Sequence, residues 1–191
     1  MRSLDYMNRV EAYVNRLNSE RRTVLETITQ VRFLDLMADE INCADMTADC
    51  EEDENKKYGV APNLDAVHTR GYAKRSLVLE DCSSWPVFSC TDTWGGPDYH
   101  GIFAFSVTIT EEMKGRIIGF SLDTGADDIW NTDNPQIMVY VNGVLTCAMD
   151  LNHHEVILSD CAEPGKIYDI RLYAYVNSPG KSNFLYLKVF A

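Results

Sequence analysis

Apolar and polar residues alternate most clearly between positions 134 and 176. Gln136 to Val141 and Val144 to Met149 are apolar-rich runs separated only by Asn142-Gly143. That pair tolerates the positive φ angles of a type I′ turn, so the spacing predicts a β-hairpin. A third run covers 155–158, and a fourth alternates from Ile167 through Tyr168, Asp169, Ile170, Arg171, Leu172 and Tyr173 to Ala174. A period of two places one face of each strand against a core.

Upstream, Phe103, Phe105, Val107 and Ile109 alternate with Ala104, Ser106, Thr108 and Thr110, which predicts a strand buried on one face. Residues 111–115 turn it around, and further strands are expected at 117–122 and 184–190. Leu77-Val78-Leu79 and 85–89 are shorter candidates, the second suited to an edge or a strand start because Pro86 donates no hydrogen bond. About eight strands without βαβ alternation predict a mainly β chain folded as a β-sandwich over 76–191.

The N-terminal pattern is different. Leu4, Met7, Val10, Val14 and Leu17 recur at spacings of three and four, and Val24, Ile28, Val31 and Leu34 continue the series. This predicts a helical segment over 1–41, either one long helix or two divided near Ser19, which can cap a second helix. Its apolar stripe must be covered by the sandwich or by another chain, so a homo-oligomer formed through the helix is one expectation.

Composition changes the picture at one place. The net charge is −12, and residues 39–54 carry eight acids with no Lys or Arg. Such a segment repels itself and stays solvated, so 42–75 reads as an acidic linker or surface loop. The charge disfavours nucleic acid and anionic lipid as partners. No apolar run is long enough to span a membrane, and Met1-Arg2-Ser3-Leu4-Asp5 does not open a signal peptide; the expected compartment is cytoplasmic. The six cysteines then read as free thiols.

Several spaced segments resemble one family. Asn134-Pro135-Gln136 with Val139-Tyr140-Val141-Asn142-Gly143, then Asn152-His153 before Glu155-Val156-Ile157-Leu158, then Tyr168-Asp169-Ile170, are similar to the N-terminal, non-catalytic β-sandwich domain of family 38 glycoside hydrolases, the α-mannosidases. Trp94-Gly95-Gly96, Asp98, His100 and Phe103 resemble that domain's WGG-x-D-x-H-x-x-F segment. The resemblance covers roughly 85–176 and departs from the family at Cys147 and Met149. It implies a jelly-roll, galactose-binding-like architecture, and a parent enzyme that releases terminal mannose with zinc or another divalent metal. The catalytic domain of that parent would be this chain's partner.

The residues themselves point away from chemistry in this chain. No His-x-Asp pair occurs, the histidines are His68, His100, His153 and His154, and adjacent His153 and His154 would face opposite ways in a strand. No cofactor or metal is therefore expected here. Asp98, Asp123, Asp127, Asp128, Asp150 and Glu155 are the carboxylates to weigh for glycoside hydrolysis, yet Asp is also a common turn residue. No Gly-x-Ser-x-Gly elbow or phosphate-binding glycine loop is present. Surface recognition remains: Trp94, Asp98 and His100, together with Asp150, Asn152 and His153, are expected to form a rim that contacts sugar or docks the catalytic domain. Trp94 filling the end of the sandwich is the alternative for the first of these. Three functions follow: accessory domain of an α-mannosidase, stand-alone carbohydrate-binding module for mannosides, or helix-mediated oligomerisation domain.

Overall fold

Residues 22–38, 74–125 and 135–191 are described by a computed structural model. Ten strands occur among them. They are β1 (Val24–Ile28), β2 (Gln30–Asp35), β3 (Val87–Ser89), β4 (Tyr99–Thr108), β5 (Ile118–Asp123), β6 (Gln136–Val141), β7 (Val144–Met149), β8 (Glu155–Ser159), β9 (Ile167–Val176) and β10 (Tyr186–Phe190). Two antiparallel sheets result, one in the order β1-β10-β5-β8 and the other β3-β2-β4-β9-β6-β7. Their inner faces form the core, with Phe103, Phe105 and Val107 of β4 and Ile170, Leu172 and Ala174 of β9 against Phe120, Leu122, Leu187 and Val189. Across the gap Phe105 meets Phe120 edge-to-face at 5.5 Å, the geometry that aromatic quadrupoles favour. The mainly β, two-sheet sandwich is thus the observed fold.

The predicted helix over 1–41 is corrected where the chain is described. Residues 24–28 and 30–35 are strands, and the chain passes from one sheet to the other at Thr29. Six of the nine residues 23–31 are β-branched, which favours extended backbone. The helical spacing was a coincidence of a register shift. Pairing with β10 is irregular between Val24 and Glu26, so Leu25 and Ile28, three apart, both pack on the core. In β2, Val31 turns into that core while Leu34 lies on the opposite face, a split that one helical stripe would not make. The sandwich therefore reaches back at least to Val24. The parts of the helix and linker readings at 1–21 and 39–73 lie outside the described residues.

The hairpin is as predicted. Asn142 and Gly143 have φ of 50° and 79°, both positive as a type I′ turn requires. Asn142 also ties the turn to β9, its Oδ1 accepting from the Asp169 amide at 2.9 Å.

Two other expectations change. Leu77-Val78-Leu79 is not a strand but the end of a 3-10 turn, Lys74–Leu79. Val78 and Trp85 pack onto the outer face of the six-stranded sheet, against Leu36, Ile102, Ala104 and Tyr173. For the same reason β4 is buried on both faces from Tyr99 to Phe105, and only Ser106 and Thr108 keep the exposed alternation. A small second core thus covers part of a face that a one-sided reading leaves to water.

Candidate functional site

Beyond that second core, the outer face of the six-stranded sheet holds an open groove of about 390 Å³. Strand register builds it. His100 of β4 pairs with Tyr175 of β9, which pairs with Gln136 of β6. Two residues along, Tyr173 pairs with Met138, which pairs with Ala148 of β7. These side chains and Asp98 line the groove. Gln136 and Ala148 are exposed, Met138 and Tyr175 half-buried, and Asp98, His100 and Tyr173 buried at its floor.

The floor is internally connected. Tyr173 Oη lies 2.7 Å from His100 Nδ1, and with the phenol as donor the ring proton sits on Nε2. That nitrogen is 4.0 Å from Asp98 Oδ1, longer than a hydrogen bond. Tyr175 packs on the His100 ring at 4.8 Å between centroids and lines the same groove as Asp98. Burial, then the neighbouring Asp98 charge, push the Tyr175 phenol above its ordinary range. Asp98 is held in the left-handed region at φ 48°, which aspartate tolerates better than most residues, and its amide donates to Asn177 Oδ1 at 3.1 Å.

The expected rim divides into three parts. Asp98 and His100 reach the groove. Trp94 does not: it is buried in the main core, its Nε1 donating to the Phe184 carbonyl at 3.1 Å and its backbone bridging Asn183. This is the structural role that was the alternative for it. Asp150, Asn152 and His153 lie in the exposed connection from β7 to β8. Because β7 ends where β6 begins, that loop stands at the same end of the sheet as Asp98.

Asp150 closes its own loop. Its Oδ1 accepts from the amides of Asn152 at 2.8 Å and His153 at 2.7 Å, and lies 3.1 Å from His153 Nδ1. Desolvation acts to raise its pKa, but these hydrogen bonds and the His153 charge together outweigh it and hold the carboxyl below its usual value. A depressed carboxylate contributes stability above its unfolded pKa of about 3.9 and loses it as pH falls through the lower folded value. Asp150→Asn is therefore expected to lower stability at pH 7 by less than about 1 kcal/mol, since the group is exposed, with the difference vanishing towards pH 2. Urea midpoints of both proteins across that range test this; a difference independent of pH would contradict it.

The other chemistry-bearing candidates do not gather. Asp123 caps the Gly125 amide at 2.8 Å, and Glu155 pairs with Arg22. Asp127, Asp128 and His68 lie outside the described residues. Among the described residues no three His, Cys, Asp or Glu side chains come together as metal ligands. Asp98 supplies the sole carboxylate among the described lining residues, whereas hydrolysis by paired carboxylates needs two about 5–9.5 Å apart. What the groove offers is binding chemistry: aromatic and thioether surface, one amide, and an ordered polar floor.

Gln136, Met138, Ala148, Tyr173 and Tyr175 were not candidates from sequence. The available signal was the pair of tyrosines at outward positions of an alternating strand, where polar residues are the norm. Their proximity to His100 depends on register, which local pattern does not specify.

Fold and site together define an antiparallel β-sandwich with an open groove on the outer face of its larger sheet. No protein-family model matches the chain, and no curated protein matches it. Among solved structures it is similar to β-glucuronidase from Ruminococcus gnavus in complex with C6-substituted uronic isofagomine, at 11% identity and TM-score 0.46, over 89% of this chain and 29% of that one. A second structure of Ruminococcus gnavus β-glucuronidase gives 10% identity and TM-score 0.47, over 89% and 28%. The chain thus spans less than a third of those enzymes' length, and likeness at this level carries no inference about activity. Among the described residues no helix is long and apolar enough to cross a membrane.

Proposed function

We propose that the chain is a non-catalytic accessory β-sandwich of a glycoside hydrolase of the family 38 α-mannosidase type. The observation that supports this is the mutual position of the resembling segments. The 94–103 segment leads into β4, the 136–149 hairpin supplies β6 and β7, and β9 lies between β4 and β6. These motifs, far apart in sequence, thus belong to one continuous sheet, and the 155–158 segment supplies β8 of the facing sheet, as the parts of a single inherited domain would. The proposed partner is the metal-dependent catalytic domain of the parent enzyme, in a cytoplasmic setting. Asp98 and His100 at the groove, and Asp150, Asn152 and His153 at the same end of the sheet, are the proposed docking rim.

The purified chain is expected to leave p-nitrophenyl α-mannoside unhydrolysed with or without added zinc or cobalt, and to co-elute with a family 38 catalytic domain lacking its own N-terminal sandwich. Metal-dependent turnover by the chain alone, or separate elution of the two, overturns the accessory reading.

A further inference from the structure

An accessory domain needs no sugar contact of its own, yet the outer-face groove has the make-up of a ligand site. We propose that it binds a neutral pyranose directly. Its volume of about 390 Å³ lies in the range of small-molecule clefts, about 300–1,000 Å³. Its walls combine the two surfaces a pyranose presents. Met138, Ala148 and the Tyr175 ring offer apolar contact for a C–H face, while the exposed Gln136 amide supplies both a donor and an acceptor for hydroxyls.

Charge selects among ligands of that size. The Asp98 carboxylate in the floor and the chain's net charge of −12 oppose a uronate, a sialoside or a phosphorylated sugar. A cationic amine is the remaining charged class, but Asp98 is only 8% exposed and set beside His100, so it is not an open counter-ion. The floor is also ordered beforehand. Tyr173 is joined to His100 across adjacent strands and Tyr175 packs on the His100 ring, so binding immobilises little beyond Gln136 and Met138.

The test titrates the intact chain, followed by amide NMR, with methyl α-mannoside, methyl β-glucoside, methyl β-galactoside and glucuronate. At least one neutral glycoside is expected to give saturable shifts centred on 136–138, 148 and 173–175, with a dissociation constant on the order of 1 mM. Gln136→Ala is expected to weaken it about 3–10-fold, the effect of one net hydrogen bond. Ala148→Glu, at an exposed position, places bulk and charge in the groove and is expected to abolish saturation while the amide spectrum elsewhere stays that of the folded chain. Glucuronate is expected not to saturate. No saturable shift with any neutral glycoside overturns the proposal, as does binding unchanged in both variants or glucuronate binding as tightly as the glucoside. None of these results bears on co-elution with a catalytic domain, so the two readings fail separately.

Discussion

Trp94→Ala is expected to destabilise the sandwich by about 3–5 kcal/mol, the range for removing a large buried aromatic side chain. Trp94 is 1% exposed and packs edge-to-face on Phe103 at 5.3 Å, with Tyr99 at 6.3 Å. Its indole N–H is also the donor to the Phe184 carbonyl, in the stretch leading to β10. Removing the ring opens a cavity between the entry to β4 and the entry to β10 and leaves that carbonyl without this donor. Trp94→Phe should recover most of the packing but not the hydrogen bond, leaving a deficit of about 1–2 kcal/mol. Urea unfolding of the three proteins measures this order. A loss below about 1 kcal/mol in the alanine variant would show that Trp94 is not part of the closure of the core.

Gly119→Ala is expected to destabilise the sandwich by about 1–3 kcal/mol. Gly119 lies in β5, between β10 and β8. A Cβ there would stand 2.5 Å from the Val156 carbonyl oxygen and 2.7 Å from Cζ of Phe190. The ring has some freedom to move, but the carbonyl belongs to the neighbouring strand and moves only if the sheet does. The register shift between Ile118 and Gly119 lies at this approach, so the glycine permits a bulge that an alanine would obstruct. A lowered thermal midpoint with the fold retained by circular dichroism is the expected reading; an unchanged midpoint would contradict the close approach.

Much of the sandwich was legible because its signals are local. Asn142-Gly143 between two apolar runs specifies a hairpin through the backbone preferences of two residues. The alternation in 167–174 is a property of the strand itself, and β9 spans Ile167–Val176. The early strands were misread because a register shift and a crossing at Thr29 mimicked a helical period. The shift follows from pairing with β10, more than 150 residues away in sequence. Similarly, Val78 belongs to a 3-10 turn because it has a sheet face to cover, which three apolar residues do not reveal.

Within the candidate site, Asp98 and His100 were identifiable as polar residues beside a glycine turn, but their partners were not. Tyr173 and Tyr175 read as outward positions of β9, and Gln136 as the first residue of a hairpin.

Residues adjacent in the chain are enough to specify a mainly β chain, the hairpin and its turn type, and the acidic character of 39–54. Long-range packing instead divides β1 and β2 between the two sheets, buries Trp94 and sets Tyr175 between His100 and Gln136. These depend on strand order and register, set by which distant faces bury one another, and a one-residue slip would turn each of those side chains to the other face.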